Sequence, residues 1–418
     1  MKLLVLDDDP TGTQSATDAL VLLRWDASSL ADALRDRDSA YLLTNTRAVD
    51  ESSAIALLRS VRADAEAAGR ELGAPVRIVL RGDSTLRGHV FPETEVFAEP
   101  DDLIVFVPAF PQGGRTTRDG RHFVRIDGID HLAHETEYAR DPVFPFETSV
   151  LSDYVRARVP RPVVTVSLAA VRSGGLAAAI SSAERGAVIV PDAVTDDDVR
   201  LIAAAVHDAW AKDRRVVVRS GSPLAAALAG VESTGLLPRP LVAAPRPTLL
   251  VCGSHTLGAT RQLAAIEDRW GRPTEIDTDA AMADAAAEAS RIAALALEAL
   301  ARDGFAAVAS ARERRPEHGT LSHGEQVMTA LTAAVAAVRV RAGVVVSKGG
   351  ITSADVARIG LGADRAVVRG QVVPGVSVWS LATPEGDDVL YVVVPGNVGD
   401  PSTLADVLDA VRAPIPGR

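Results

Sequence analysis

GLLPRPLVAAPRPTLLVCGS, residues 235–254, decides how the chain is divided. Its first part carries Pro238, Pro240, Pro245 and Pro247. Proline fixes φ and has no N–H to donate, so neither a helix nor a central strand can run through this stretch. The closing TLLVCGS is an apolar run that ends on Gly253 and Ser254, the pattern of a buried strand opening into a polar loop. A breaker followed by a new strand predicts a boundary, which gives domains 1–240 and 241–418 with the proline run as hinge. A chain of 418 residues is also longer than one core usually serves.

Working outward, short β-branched or Leu-rich runs alternate with Ala-rich helical stretches on both sides. The pattern predicts two α/β domains, each with a mainly parallel sheet flanked by helices. Before the boundary the strands fall at 3–6, 41–43, 76–80, 103–107, 163–166, 188–190 and 216–218. Beyond it come a strand from 248, helices at 257–270, 280–301 and from about 322, strands at 344–346, 366–368 and 390–394, and a last helix at 404–411. In open α/β sheets ligands gather outside the carboxyl ends of the strands, so the loops there are where chemistry is expected.

The net charge of −11 works against nucleic acid or an anionic membrane as a partner. Lysine occurs only at positions 2, 212 and 348, so arginine must supply any anion site. One cysteine, Cys252, excludes an internal disulfide, and MKLLVL runs directly into Asp7, Asp8 and Asp9, unlike a signal peptide. A cytoplasmic protein is expected, and a homo-oligomer is compatible with these features.

Three constellations stand at strand ends. LDDDPTGTQSA, 6–16, packs three carboxylates before a glycine turn, where they can orient a hydroxyl or hold magnesium. LRGDSTLRGH, 80–89, sets Arg81 and Arg87 around Asp83, Ser84 and Thr85, with Gly82 and Gly88 to let a ligand approach. Guanidinium forks match a carboxylate, and Asp or Ser can bind hydroxyls, so an anionic, hydroxylated small molecule fits; Arg47 points to the same edge. SKGGITSADVARIGLGA, 347–363, places Lys348, Gly349 and Gly350 before a helix, a cradle for phosphate, which VVVPGNVGD and VCGSH reinforce. His131, His134 and Glu135 lack the HExxH spacing of a zinc site, and Cys252 reads as a buried strand residue.

DDPTG, RGDSTLRGH, PAFPQGGRTTRDGRHFV, TEYARDPVFPF, KGGITSADVA and PGNVGD, in that order, resemble the four-carbon acid sugar kinase family. The resemblance spans about residues 5–411 and implies an N-terminal domain for the acid and a C-terminal domain for ATP, with Mg2+. Substrate contacts implied are Asp8, Arg47, Arg81, Gly82, Asp83 and Ser84. ATP contacts implied are Ser254, Gly349, Gly350, Ile351, Thr352 and Gly396. Asp83 is the first choice to orient or deprotonate the attacking hydroxyl, with Asp8 second, and the domains are expected to close over the two substrates. Two rival readings exist. Asp7, Asp9 and Thr11 spell DxDxT, which resembles haloacid-dehalogenase-type phosphatases, with Thr44 and Lys348 as later motifs; a non-enzymatic sugar-acid sensor is the other.

Overall fold

Apolar runs bounded by polar turns form strands covered on both faces, and the chain arranges them in two compact units. The computed structural model describes residues 1–312, 321–396 and 398–417. One unit comprises Met1–Ala16 and Trp25–Glu232, the other Thr17–Arg24 and Ser233–Arg418.

In the first unit seven parallel strands lie in the order Ser39–Leu43, Lys2–Asp7, Val76–Arg81, Val216–Ser220, Leu103–Val107, Val188–Pro191 and Val163–Val166. They are the seven expected strands, several lengthened by a residue or two. Leu103–Val107 is buried along its whole length, which explains its unbroken LIVFV. The helix Glu51–Leu72 starts where Asp50 accepts from Ser53 N at 3.0 Å and stops at Gly73, whose φ of +65° suits glycine. From Lys2–Asp7 the chain goes first to one neighbour, Ser39–Leu43, and then to the other, Val76–Arg81. Loops diverge at such a switch point and leave a crevice at the carboxyl ends. An antiparallel trio, Arg115–Arg118, Arg121–Ile126 and Ile129–Leu132, was not anticipated, because its charged, partly exposed strands lack an apolar run.

In the second unit the order is Thr274–Ile276, Phe305–Ser310, Thr248–Cys252, Val344–Lys348, Asp388–Val394, Val376–Ala382, Arg365–Val373 and Leu20–Leu22. The first five are parallel and the rest antiparallel. Leu250, Val346, Val392, Trp270 and Leu404 share its core. Each unit is thus α/β with a mainly parallel sheet flanked by helices, as the sequence predicts. The details differ in places. The stretch 280–301 breaks at Asp284, which caps Ala285–Asp303 by accepting from Ala286 N and Ala287 N at 3.0 Å. FAAVAS at 305–310 is a strand despite its alanines, since burial on a pleated surface overrides weak propensity. The proline run is bonded onto this unit and is no free tether. Leu237 N donates to Gln371 O at 2.7 Å, Leu241 N to Ala410 O at 2.8 Å, and Arg239 to Val372 O at 2.8 Å. Among the described residues no helix is long and apolar enough to cross a membrane.

Candidate active site

Four neighbouring strand ends of the first unit converge on a buried cluster of charge. Lys2–Asp7 delivers Asp7, Asp8 and Asp9, and Val76–Arg81 delivers Arg81 beside them. Arg81 Nη1 lies 3.0 Å from Asp7 Oδ1 and 3.1 Å from Asp8 Oδ1, and it donates to Asp9 O at 3.3 Å. Arg47, from the loop after Ser39–Leu43, donates to Asp9 Oδ2 and stands 3.6 Å from Asp83 Oδ1. Asp83 Oδ2 accepts from Arg87 Nε at 2.8 Å and from the Thr85 hydroxyl. Arg87 in turn lies 3.5 Å from Asp141 and 5.1 Å over the Tyr138 ring, so the TEYARDPVFPF segment closes this side.

Burial and pairing pull these acids apart in strength. Burial pushes the Asp7 carboxyl up to about 7, with Arg81 pulling against it. It pushes Asp8 up as well, against Arg47, Arg81 and Arg219. Burial also acts on Asp83, but Arg87 and Arg47 outweigh it and hold that carboxyl below its ordinary value. Asp83 is therefore ionised throughout the neutral range, and Asp8 is the more basic group. The solvent-facing cations are Arg47 and Arg87, about a fifth exposed at 20% and 23%, whereas Arg81 is 3% exposed and committed to the aspartates.

Several members of this cluster escape sequence reasoning. Arg219, at the end of Val216–Ser220, pairs with Glu93 and stands 3.7 Å from Asp8 Oδ2. Its guanidinium occupies the space that a Cβ at Gly82 would need, so that glycine admits a side chain of the protein. His122, from the antiparallel trio, sits 2.8 Å from Ser84 O and 3.1 Å from Thr117 Oγ1. Burial pushes it down to about 4, so it is neutral; Nε2–H donates to the Ser84 carbonyl while Nδ1 accepts from the hydroxyl. The signal for Arg219 was present: VVVRSGS, 216–222, repeats the strand–Arg–turn form of IVLRGDS, 78–84.

The second unit builds a different site from three adjacent parallel strand ends. Cys252 registers with Lys348, and Lys348 with Val394, so the turns carrying Ser254, Gly349 and Gly396 emerge side by side. Gly349 has φ +119°, and a Cβ there would lie 3.1 Å from Thr352 Oγ1 and 3.2 Å from Ser254 Cβ. A Cβ at Gly396 would lie 2.8 Å from Ser254 Oγ. Thr256 Oγ1 donates to Gly396 O at 2.8 Å and ties two of the turns together. The helical stretch beginning Gly350–Asp355 has no side-chain cap, and the first-turn N–H groups of Gly350, Ile351 and Thr352 have no intrahelical acceptor. Ile351 is exposed and Thr352 buried. Lys348 is fully buried beneath them and donates to Pro395 O at 2.7 Å. Asn397 of PGNVGD lies outside the described residues.

The side chains of the rival phosphatase motif have other partners. Asp7 is spent on Arg81, Asp9 on Arg47 and the Thr11 N–H, the Thr44 hydroxyl on Asp7 O, and Lys348 belongs to the other unit. Among the described residues no three His, Cys, Asp or Glu side chains are arranged to hold a metal, and Asp7 and Asp8 are paired with Arg81.

An arginine–carboxylate cluster at the strand ends of one α/β unit and glycine turns at those of the other give a protein of two modules. Residues 3–228 match a family described as the sugar-binding N-terminal domain, and residues 249–404 one described as the nucleotide-binding C-terminal domain. The chain belongs to the four-carbon acid sugar kinase family. It is 29% identical to a D-threonate kinase of Salmonella typhimurium over 98% of each chain. It is 34% identical to a D-erythronate kinase of Heliobacterium modesticaldum over 53% of this chain, a match that spans about half, 49%, of that relative. A solved structure from Haemophilus influenzae superposes with a TM-score of 0.66 at 19% identity, covering 98% of this chain and all of that one, and shares the fold.

Proposed function

We propose that the chain transfers the γ-phosphoryl group of ATP to a hydroxyl of a four-carbon sugar acid of the threonate, erythronate or 3-oxo-tetronate type. The observation that carries this reading is the pair of partly exposed guanidiniums, Arg47 and Arg87, on either side of an ionised Asp83. A carboxylate suits the forks and a hydroxyl suits the aspartate. Gly82 and Ser84 line the same loop, and Arg81 acts from below by fixing Asp7 and Asp8. The turns of Ser254, Gly349, Gly350, Ile351, Thr352 and Gly396 suit a triphosphate, because glycines at 349 and 396 let the turns pack closely against Ser254 and Thr352 and leave their backbone N–H groups bare.

Phosphoryl transfer asks little covalent chemistry of a protein and a great deal of positioning. Asp83 orients the acceptor hydroxyl, and Asp8, whose carboxyl burial pushes up, is suited to receive its proton. Backbone N–H groups at the glycine turns stabilise charge developing on the phosphates. Mg2+ usually enters with the nucleotide, held by the phosphates and one or two carboxylates, and supplies further charge neutralisation. The deciding experiment supplies purified protein with magnesium ATP and a panel of aldonic and ketonic acids, and follows ADP release. Phosphate release from a phosphorylated acid without ATP would instead favour the phosphatase.

A further inference from the structure

Several buried polar atoms of the acid site have no hydrogen-bond partner among the described residues, and two of them, an acceptor and a donor, face each other. Asp8 uses Oδ1 on Arg81 but leaves Oδ2 unbonded; Arg219 uses Nη1 on Glu93 but leaves Nη2 unbonded. Both residues are 2% exposed, so bulk water does not satisfy either group, and an unmet charged group in such a place is costly. The two atoms are 3.7 Å apart, too far for a hydrogen bond with each other. Gly88 lies beside them with φ +115°. A Cβ placed there would be 3.3 Å from Asp8 Oδ2 and 3.7 Å from Arg219 Nη2, and apart from Gly88 and its chain neighbours no other atom of the described residues lies within 4 Å of that point. The bare backbone of Gly88 therefore borders an unsatisfied acceptor and an unsatisfied donor at once, with no side chain of its own between them.

A hydroxyl group is the chemistry that answers both, since it donates one hydrogen bond and accepts others. A carboxylate would repel Asp8, and an ammonium would repel Arg219. We propose that Asp8 and Arg219 form a hydroxyl-reading bridge in the acid site, with one hydroxyl of the substrate donating to Asp8 Oδ2 and accepting from Arg219 Nη2. Arg219 is then a specificity-determining residue, Glu93 positions it, and Gly88 leaves the pair unobstructed by a side chain. This rests on the sugar-acid reading above and adds which atoms count the hydroxyls.

The test measures inhibition or dissociation constants for a four-carbon aldonic acid and its three monodeoxy analogues, so that the analogue lacking the phosphorylated hydroxyl is also scored. The parent should bind one analogue about ten- to a hundredfold more weakly than the full acid through the lost bridge. In Arg219→Met/Glu93→Gln, which leaves no unpaired buried charge, that one penalty should shrink to about twofold or less, while the other two analogues keep theirs. Arg219→Lys retains a charge for Glu93 but lacks the second arm, and it should show the same selective loss if the double variant does not fold. Gly88→Ala should weaken the full acid more than the analogue without the bridging hydroxyl. An equal loss on all four ligands would mean that Arg219 is only structural, with ordered water between it and Asp8, and would overturn the bridge while leaving the kinase reading intact. Failure of the parent to bind any acid would overturn the kinase reading and the bridge with it.

Discussion

The two candidate sites of this chain are built from opposite materials. The first concentrates Asp7, Asp8, Asp9, Asp83 and Glu93 against Arg47, Arg81, Arg87 and Arg219, most of them buried. The second presents glycine, serine and threonine at three strand ends, with one lysine beneath them. Charged forks fix the direction of a small acid, because each guanidinium has planar geometry and each carboxylate two lone-pair edges. A triphosphate needs backbone N–H groups at close range, which glycine allows and any side chain obstructs. Charge changes within the first site should therefore damage acid recognition and spare the nucleotide, and added volume at the glycine turns should do the reverse.

The harshest way to break that comparison is Asp83→Asn. It keeps shape and removes the charge proposed to orient the hydroxyl, so turnover should fall about 10²- to 10⁴-fold while calorimetry shows ADP affinity unchanged. Asp8→Asn belongs beside it: parental rates in the Asp83 variant together with a dead Asp8 variant would move the whole role to Asp8. The next largest effect concerns the ligand. A four-carbon acid should be phosphorylated about ten- to a hundredfold more efficiently than the corresponding alditol, because charged hydrogen bonds to Arg47 and Arg87 are lost with the carboxylate. A ratio of catalytic efficiencies near unity would sink the acid assignment even for a working kinase.

How much of this could be read beforehand follows from how each feature is encoded. Strand ends were legible because an apolar run followed by glycine and a polar residue is local, and IVLRGDS and VVVSKGG carry the whole signal in seven residues. The clustering of Asp8, Arg47, Arg81 and Asp83 followed from parallel strands sharing a carboxyl edge. Pairings between distant segments were hidden. Arg219 and Glu93 stand 126 positions apart, and neither neighbourhood announces the other. His122 rests on charged strands whose pattern resembles a loop. Leu20–Leu22 is too short to declare itself and joins the second unit from within the first hundred residues. Gly82 in sequence suggests room for a ligand, yet the room belongs to Arg219, which arrives from a strand far along the chain.

On the nucleotide side the comparison is sharpened by Gly349→Val. Its φ of +119° strains any other residue, and the new side chain would press on Thr352 and Ser254. Strain of this sort costs about 1–3 kcal/mol, so ADP should bind about tenfold more weakly or worse. Acid affinity should not move. ADP binding equal to the parent would remove this turn from the site.

The smallest expected effect tests Lys348, a charged group beneath the glycine turns. Burial lowers the Lys348 ammonium to about 8, with Cys252 the nearby group that favours its charged form. A phosphate above it would also favour that form, so ADP should bind more tightly below this pH and lose about three- to tenfold as pH rises through it. The stability of the free protein should run the other way. An unfolded lysine keeps its proton up to about 10.5 and the folded one releases it near 8, so between those values the folded state binds fewer protons and gains stability with rising pH. Lys348→Met should flatten both profiles while Cys252→Ser leaves them in place. Because Lys348 also donates to Pro395 O, the variant is expected to bind ADP more weakly at every pH, and the informative quantity is the slope. An unchanged slope in Lys348→Met would show that the glycine turns hold phosphate without any charge beneath them, the extreme form of the contrast with the arginine-built acid site.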